Sequence, residues 1–596
     1  MVSYAEIFSN TWGIILVALF FGGSIFVHEF GHFLAAKMRG MKVLRFSIGF
    51  GPKVFSWKGK DGCEYAVSLL PLGGYVALPQ LADMGAVEGM SAEDKARAQE
   101  FPPASCTDKV IVSAAGAFFN LLFAAALAAV VWAIGVSENA DYKTTVIGFV
   151  PKMISNVDGG KIPSPAALAG LKIGDKIIAI DSHPVSDFMQ IIERVAIGSG
   201  RNTDGSPKAE IRVERDGKIM NVALSPRLIR TNLSTGDEIR MIGVSPATTM
   251  RVGRVMNGSP AETAGLKADD IVKAADGVRL YSQAQLAEYL NALPDGAKIS
   301  LDILRDGKEM KIEAFPKRVD LTRGLCALEL PDGEGTLSFI EMSAKDEGST
   351  IRLYSKEGEL SGLENLRAGD TLYSAGGKDI GALKELNIIV NAAAANTPVK
   401  ISLSGADYNL KDAFLPSGTK SRLLAPKRQM MLGYILAKDY AVAHPSIYAQ
   451  FSDSISRTWN AISSLVNPQS DIGISSLAGP VDIGRVIYEL SMTSFSLVLS
   501  FAVLLNVNLA ILNMLPIPVL DGGHIVFAII AKIRGKALPP SFFAGVQGAF
   551  SILFLALMAY VVYYGFMRWH GDSKLENSNP LAAEYYIKNI EFKNHE

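Results

Sequence analysis

Apolar residues along this chain fall into two kinds of pattern. In four places they form unbroken runs, at about 13–36, 110–136, 495–515 and 550–566. Each run is long enough to cross roughly 30 Å of hydrocarbon as a helix. Elsewhere apolar positions alternate with polar ones over short stretches punctuated by Gly, Pro and Asp, the pattern of half-buried strands and turns. The stretch GGHIVFAIIAKIRGK after the third run is shorter and ends in basic residues, which predicts a partial or interfacial helix. Ahead of the third run, FSDSISRTWNAISSLV reads as an amphipathic helix lying on a membrane surface. The first run has no basic leader and no small-x-small cleavage site after it, so it is expected to be retained rather than removed as a signal peptide.

Between the first two runs, FSIGFGPKVFSWKGKDGCEYAVSLLPLGGYVALP predicts short strands and turns. Its aromatic residues suit a place in the membrane interface. The block from about 137 to 490 carries a loose internal repeat. Its copies contain AALAGLKIGDKIIAIDSHPVSDFMQIIERV, then SPAETAGLKADDIVKAADGVRLYSQAQLAEYL, then the weaker SGLENLRAGDTLYSAGGKDIGALKELNIIV, which lacks the Ser-Pro-Ala lead. In each copy a turn leads to an acidic position, then a short apolar strand, a second turn and an amphipathic helix. KAEIRVERDGKIMNVAL and KISLDILRDGKEMKIEA predict hairpins turning at RDGK, and VKISLS predicts a closing strand.

Composition fits a mixed chain. At 596 residues several domains are expected, and 49% hydrophobic with 20% charged residues implies a membrane part and substantial soluble parts. A net charge of −1 gives no support for a nucleic-acid partner. Cys63, Cys106 and Cys326 are too few for a disulfide framework and form no CxxC, so Cys326 is expected to be buried and inert. Lys37, Arg39, Lys42, Arg45, Lys53, Lys58 and Lys60 follow the first run, and Lys532, Arg534 and Lys536 follow the third. Basic residues at helix ends favour the cytoplasm, which puts both loops inside and the termini and the 137–490 block outside.

Three polar residues inside the first run demand an explanation, because a charge at bilayer depth costs roughly 3 kcal/mol or more. They are His28, Glu29 and His32, an HExxH. Residues four apart share a helix face, so His28 and His32 can hold one zinc ion while Glu29 serves as general base. Zinc lowers the pKa of a bound water toward about 7. Catalytic zinc usually takes three protein ligands. Of the seven histidines (28, 32, 183, 444, 524, 570 and 595), only His524 lies in a second apolar region, NVNLAILNMLPIPVLDGGHIVF, whose one carboxylate is Asp521. Pro516 and Pro518 break the helix there, Gly522 and Gly523 permit unusual backbone angles, and a break at membrane depth is tolerated where it lines a wet cavity. Asp521 is therefore the expected third ligand, with His524 the alternative.

HEFGH in a first membrane helix together with NMLPIPVLDGGH in a late one resembles the site-2 protease family of intramembrane zinc metalloproteases. The order of parts resembles its bacterial regulator-of-sigma-E protease branch: HExxH helix, GFGPKVFS and PLGGYV loop, second helix, repeated domains, LDG helix. The repeats resemble circularly permuted PDZ domains. The resemblance implies a polytopic α-helical membrane protein of about four spans with a membrane-associated β-loop and inserted extracytoplasmic PDZ-like α+β domains. The expected parts are an N-terminal membrane part at 1–136, PDZ-like domains at 137–230 and 240–318, a third PDZ-like unit at 319–425, and a C-terminal membrane part at 446–596. It further implies Zn2+ on His28, His32 and Asp521, Glu29 as catalytic residue, and Asn513 holding the substrate backbone or steadying the transition state.

The expected partners are the lipid bilayer, single-span membrane protein substrates such as an anti-sigma factor, and an upstream extracytoplasmic protease that cuts first. The expected location is a bacterial inner membrane. Clearance of remnant signal peptides and a non-catalytic PDZ scaffold are the competing functions. One departure is visible: the family's A-G-P-x-x-N in the second helix reads Ala115-Gly116-Ala117-Phe118-Phe119-Asn120 here, without the proline.

Overall fold

The structure is a computed structural model describing residues 11–578, apart from 85–100, 103, 156–160, 231–234, 236, 321–324, 332–334, 345–347, 359–362, 364–365, 367–369, 394–396, 405–409, 425–427 and 537. The polar tail at 579–596, with His595, lies outside the described residues. The chain divides into two compact units, Met1–Glu138 with Tyr440–Arg568, and Asn139–Asp439 with Trp569–Glu596.

The first unit is built on helices. Among the described residues four are long and apolar enough to cross a membrane: α1 (Trp12–Met38), α2 (Cys106–Ile134), α5 (Phe495–Asn513) and the apolar part, Ser541–Gly571, of α7 (Pro540–Ser578). This is a membrane protein. Between α2 and α5 come α3 (Ile447–Val466) and α4 (Pro480–Thr493), and α6 (Asp521–Arg534) follows α5. At 14 residues, α6 is only about 21 Å long and does not span. The missing proline leaves α2 helical without interruption over 29 residues. Leu16 and Phe20 of α1 pack with Ala124, Ala128 and Val131 of α2 and with Val498, Leu499, Ala502 and Val503 of α5 in one buried cluster. Small residues set the α1–α2 crossing. A Cβ on Gly31 would stand 2.6 Å from the Ala115 carbonyl oxygen, so the backbones meet where no side chain fits.

Two 14-residue strand elements, β1 (Arg45–Lys58) and β2 (Glu64–Ala77), follow α1. Both bend, and together they make four short strands, the 45–48 segment running in the same direction as 64–67 and the other pairings antiparallel. Residues 45–48 pair on one side with 64–67 and on the other with 74–77, while 53–58 pairs with 64–68. Gly49 and Gly51, with φ of 86° and 88°, let β1 turn away after Ile48. The segment 74–77 is left at one edge. Val54, Phe55, Trp57 and Leu69 stand exposed on the surface of these strands.

The second unit contains the three repeats, and their local chemistry is shared. The acidic residue after each turn is buried. Asp175 takes two hydrogen bonds of 2.6 Å from Arg215, and Asp270 takes bonds of 2.8 and 2.7 Å from Arg305. The third repeat substitutes Lys411, 3.2 Å from both oxygens of Asp370. Burial works to raise the Asp270 carboxyl, but the Arg305 guanidinium holds it below the ordinary carboxylate range. The RDGK turns have positive φ at both central residues, 50° and 72° at Asp216-Gly217 and 48° and 76° at Asp306-Gly307, as tight hairpins need.

Strand pairing places the repeat boundaries differently from a division into consecutive blocks. The first repeat is closed by a hairpin of Arg227–Arg230 with Glu238–Met241, and then by Ser245–Pro246 against Ile147–Phe149, so it runs past the expected limit of 230. In the second repeat the same hairpin is Lys317–Asp320 with Arg428–Met431, followed by Tyr434–Leu436 against Val252–Val255. The second repeat is thus discontinuous, and residues 321–427 are inserted into its hairpin. Within the insert, Lys420–Leu424 pairs with Leu325–Glu329. Those are the last and first strands of the third repeat. The third repeat is therefore a circular permutant of the other two, opened at the same hairpin into which it is inserted. It keeps its own core, with Leu328, Leu337, Phe339, Leu353, Leu386 and Ile401 all buried. A core assembled from sequence-distant strands could not be foreseen from the repeat spacing alone.

Candidate metal centre

The site is assembled from α1, α2, α5 and α6. On α1 the helical period brings His28 and His32 to one face, their Nε2 atoms 3.2 Å apart. Asp521 is the first residue of α6, at the positive end of the helix dipole. Its Oδ2 lies 3.2 Å from His28 Nε2 and 3.5 Å from His32 Nε2. Three ligand atoms thus form a nearly equilateral triangle. A tetrahedral zinc with bonds of about 2.0–2.1 Å demands edges of about 3.3 Å, which these match.

The surroundings fit a metal as well. A Cβ on Gly116 of α2 would sit 2.4 Å from His32 Nε2 and 2.6 Å from His28 Cε1, so only glycine leaves the two rings room. His32 is braced from behind by Nδ1 against the Val112 carbonyl oxygen at 2.8 Å, which points Nε2 inward. His28 Nδ1 meets the Asn120 side-chain amide at 3.3 Å. Among the described residues, His28, His32 and Asp521 are the grouping that offers ligand atoms of this kind. His524, three residues further along α6, is not part of it.

The two other expected site residues fall beside the triangle. Glu29 adjoins His28 on α1 and faces Gly74, whose Cβ would lie 2.9 Å from Glu29 Cγ. The edge segment 74–77 therefore runs past the expected general base. Asn513, the last residue of α5, has its amide 3.3 Å from His28 Nε2. The loop between α5 and α6 corrects one expectation. Gly522 and Gly523 are helical and do not adopt unusual backbone angles. They are glycine because the loop packs onto them, with Cβ positions 2.3 Å from the Met514 carbonyl oxygen and 2.1 Å from that of Ile517. That close packing fixes where α6 starts, and hence where Asp521 points.

Sequence reasoning gave Asn120, Gly116 and Gly74 no part in the centre. Asn120 carried a signal, as a polar residue in a run of apolar ones and the last residue of the Ala115–Asn120 motif; Gly116 lay in that motif and Gly74 in PLGGYV, but what each meets shows only in the tertiary structure.

A triad of nitrogen and carboxylate ligands with a second carboxylate alongside is the arrangement of a metal-dependent hydrolase, here set within membrane-length helices. Comparison with known proteins gives that class a family. The chain belongs to peptidase family M50, whose model it matches over residues 16–557, and it is a zinc metalloprotease of that family. It is 25% identical to a Vibrio cholerae protein named as a candidate zinc metalloprotease, over 94% of this chain and 99% of the relative. A Neisseria meningitidis protein named in the same way is 27% identical, over 88% and 92%. The regulator of sigma E protease of Haemophilus influenzae is 24% identical, over 91% and 96%.

Proposed function

We propose that this protein is an intramembrane endopeptidase that cuts the spanning segments of single-span membrane proteins, with zinc on His28, His32 and Asp521. The observation that carries this reading is the 3.2–3.5 Å triangle of ligand atoms within membrane-length helices, next to Glu29. Zinc held there would supply a water acidic enough to act as a nucleophile near neutral pH. Glu29 takes the proton from that water and returns it to the leaving nitrogen. The Asn513 amide hydrogen-bonds the substrate backbone as the bond is attacked. A helical substrate must first be unwound, and each freed N–H and C=O needs a new partner. The edge at 74–77 supplies such partners by strand addition, which lays the substrate beside Glu29.

The basic loops after α1 and α6 orient the active site toward the cytoplasm of a bacterial inner membrane. The three repeats are extracytoplasmic PDZ-like domains that restrict access to substrates already trimmed by another protease. The sigma E regulator among the relatives makes an anti-sigma protein in envelope-stress signalling the favoured substrate.

The test is co-expression with a tagged single-span reporter lacking its outer domain, comparing wild type with Glu29→Gln. Cleavage within the span by wild type alone supports the reading. Equal cleavage by both refutes a role for Glu29.

A further inference from the structure

Of the two histidines, only one has an evident backbone brace. His32 Nδ1 faces the Val112 carbonyl, an acceptor, which requires the ring proton on Nδ1 and leaves Nε2 with its lone pair toward the centre. His28 must adopt the same tautomer to offer Nε2. Its Nδ1–H then needs an acceptor of its own, and what stands there, at 3.3 Å, is the Asn120 side chain from α2. Asn120 is fully buried in the helix interior, and at the other end of its amide the oxygen has no partner. No competing contact therefore holds the amide in one orientation, and the two orientations of an amide are not told apart by their atoms' positions alone. With nitrogen toward His28, two donors would oppose each other once the ring proton sits on Nδ1. With oxygen toward it, the pair is complementary.

We infer that Asn120 is a positioning residue for the metal centre: its Oδ1 accepts from His28 Nδ1–H, fixing the tautomer and ring plane that aim Nε2 at the metal. Outer partners of this kind tune ligand histidines. The inference also explains a buried amide inside a membrane-length helix, where a polar group with no task is costly. It rests on the zinc reading of the triangle.

The experiment measures zinc affinity of the purified full chain by chelator competition, for wild type, Asn120→Leu and Asn120→Asp, with thermal unfolding of the metal-free proteins as the check on folding. Leucine has a similar volume and no acceptor; aspartate keeps an acceptor in place. The expected result is affinity weakened about 10- to 100-fold in Asn120→Leu, with the metal-free melting temperature unchanged or higher, and affinity near wild type in Asn120→Asp. Wild-type affinity in Asn120→Leu overturns the inference. So does equal loss in both variants, which would reflect packing at that position rather than an acceptor. A wild-type chain that takes up no zinc overturns the zinc reading itself, and that result is distinguishable because it precedes any comparison of variants.

Discussion

Gly116→Ala isolates the geometry of the centre, because it adds one methyl group and no chemistry. The new Cβ would stand 2.4 Å from His32 Nε2 and 2.6 Å from His28 Cε1. That is about 1 Å inside a relaxed contact of roughly 3.5 Å. The rings cannot swing aside freely, since each is held at Nδ1, by Val112 and by Asn120. Relief requires either a twisted imidazole, at about 0.5–1.5 kcal/mol, or a lost hydrogen bond, at about 1 kcal/mol, for each ring. A total of about 1–3 kcal/mol corresponds to zinc bound roughly 10- to 100-fold more weakly. Cleavage should fall further, because a misplacement of about 1 Å can cost about 10²-fold in rate. The assay is zinc stoichiometry and affinity on purified protein, followed by reporter cleavage. Gly23→Ala in α1 is the control: nothing lies within 4 Å of its Cβ, so it should be neutral or stabilise by up to about 1 kcal/mol through helix propensity. If Gly116→Ala binds zinc and cuts like wild type, the two histidines are not confined as described, and the reasoning from the crossing of α1 and α2 fails.

Other consequences follow from the same structure. Gly74→Val should displace Glu29 while sparing the ligands, giving normal zinc content with cleavage reduced on the order of 10²-fold; loss of zinc would refute that separation. Replacing 321–427 by a short turn should rejoin Lys317–Asp320 to Arg428–Met431 and leave zinc content and membrane insertion intact, whereas a misfolded product would show that the insert is not autonomous. The same segment expressed alone should fold and shield Cys326, which is fully buried and whose thiol is pushed up by burial; prompt alkylation of Cys326 without denaturant would contradict this. Deleting 140–439 should admit substrates with intact outer domains, and unchanged selectivity would refute gating by the repeats. A cut at 140–316 is unsuitable, because it would leave Tyr434–Leu436 without Val252–Val255, the strand it pairs with.

The membrane helices, the HExxH pair and the repeat were legible in the sequence because each depends on short-range periodicity. His28 and His32 share a face whatever the helix packs against, and an uninterrupted apolar run has few other solutions. Asp521 was legible for a related reason, as the one carboxylate in a second apolar region broken by proline. Local spacing could not reveal what depends on residues distant in the chain. Gly116 and Gly31 look like ordinary small residues until the crossing of α1 and α2 puts the histidine rings and the Ala115 carbonyl against them. Asn120 becomes a partner of His28 only when two helices come side by side. The edge at 74–77 exists because β1 pairs on both sides. The third repeat reads as the next block in line, yet its strands close on each other inside the hairpin of the second. The sequence by itself determined which elements form and which residues can bear chemistry, since propensity and period act over a few residues. Tertiary structure alone decided which of them meet, since close approach and strand pairing belong to the folded chain.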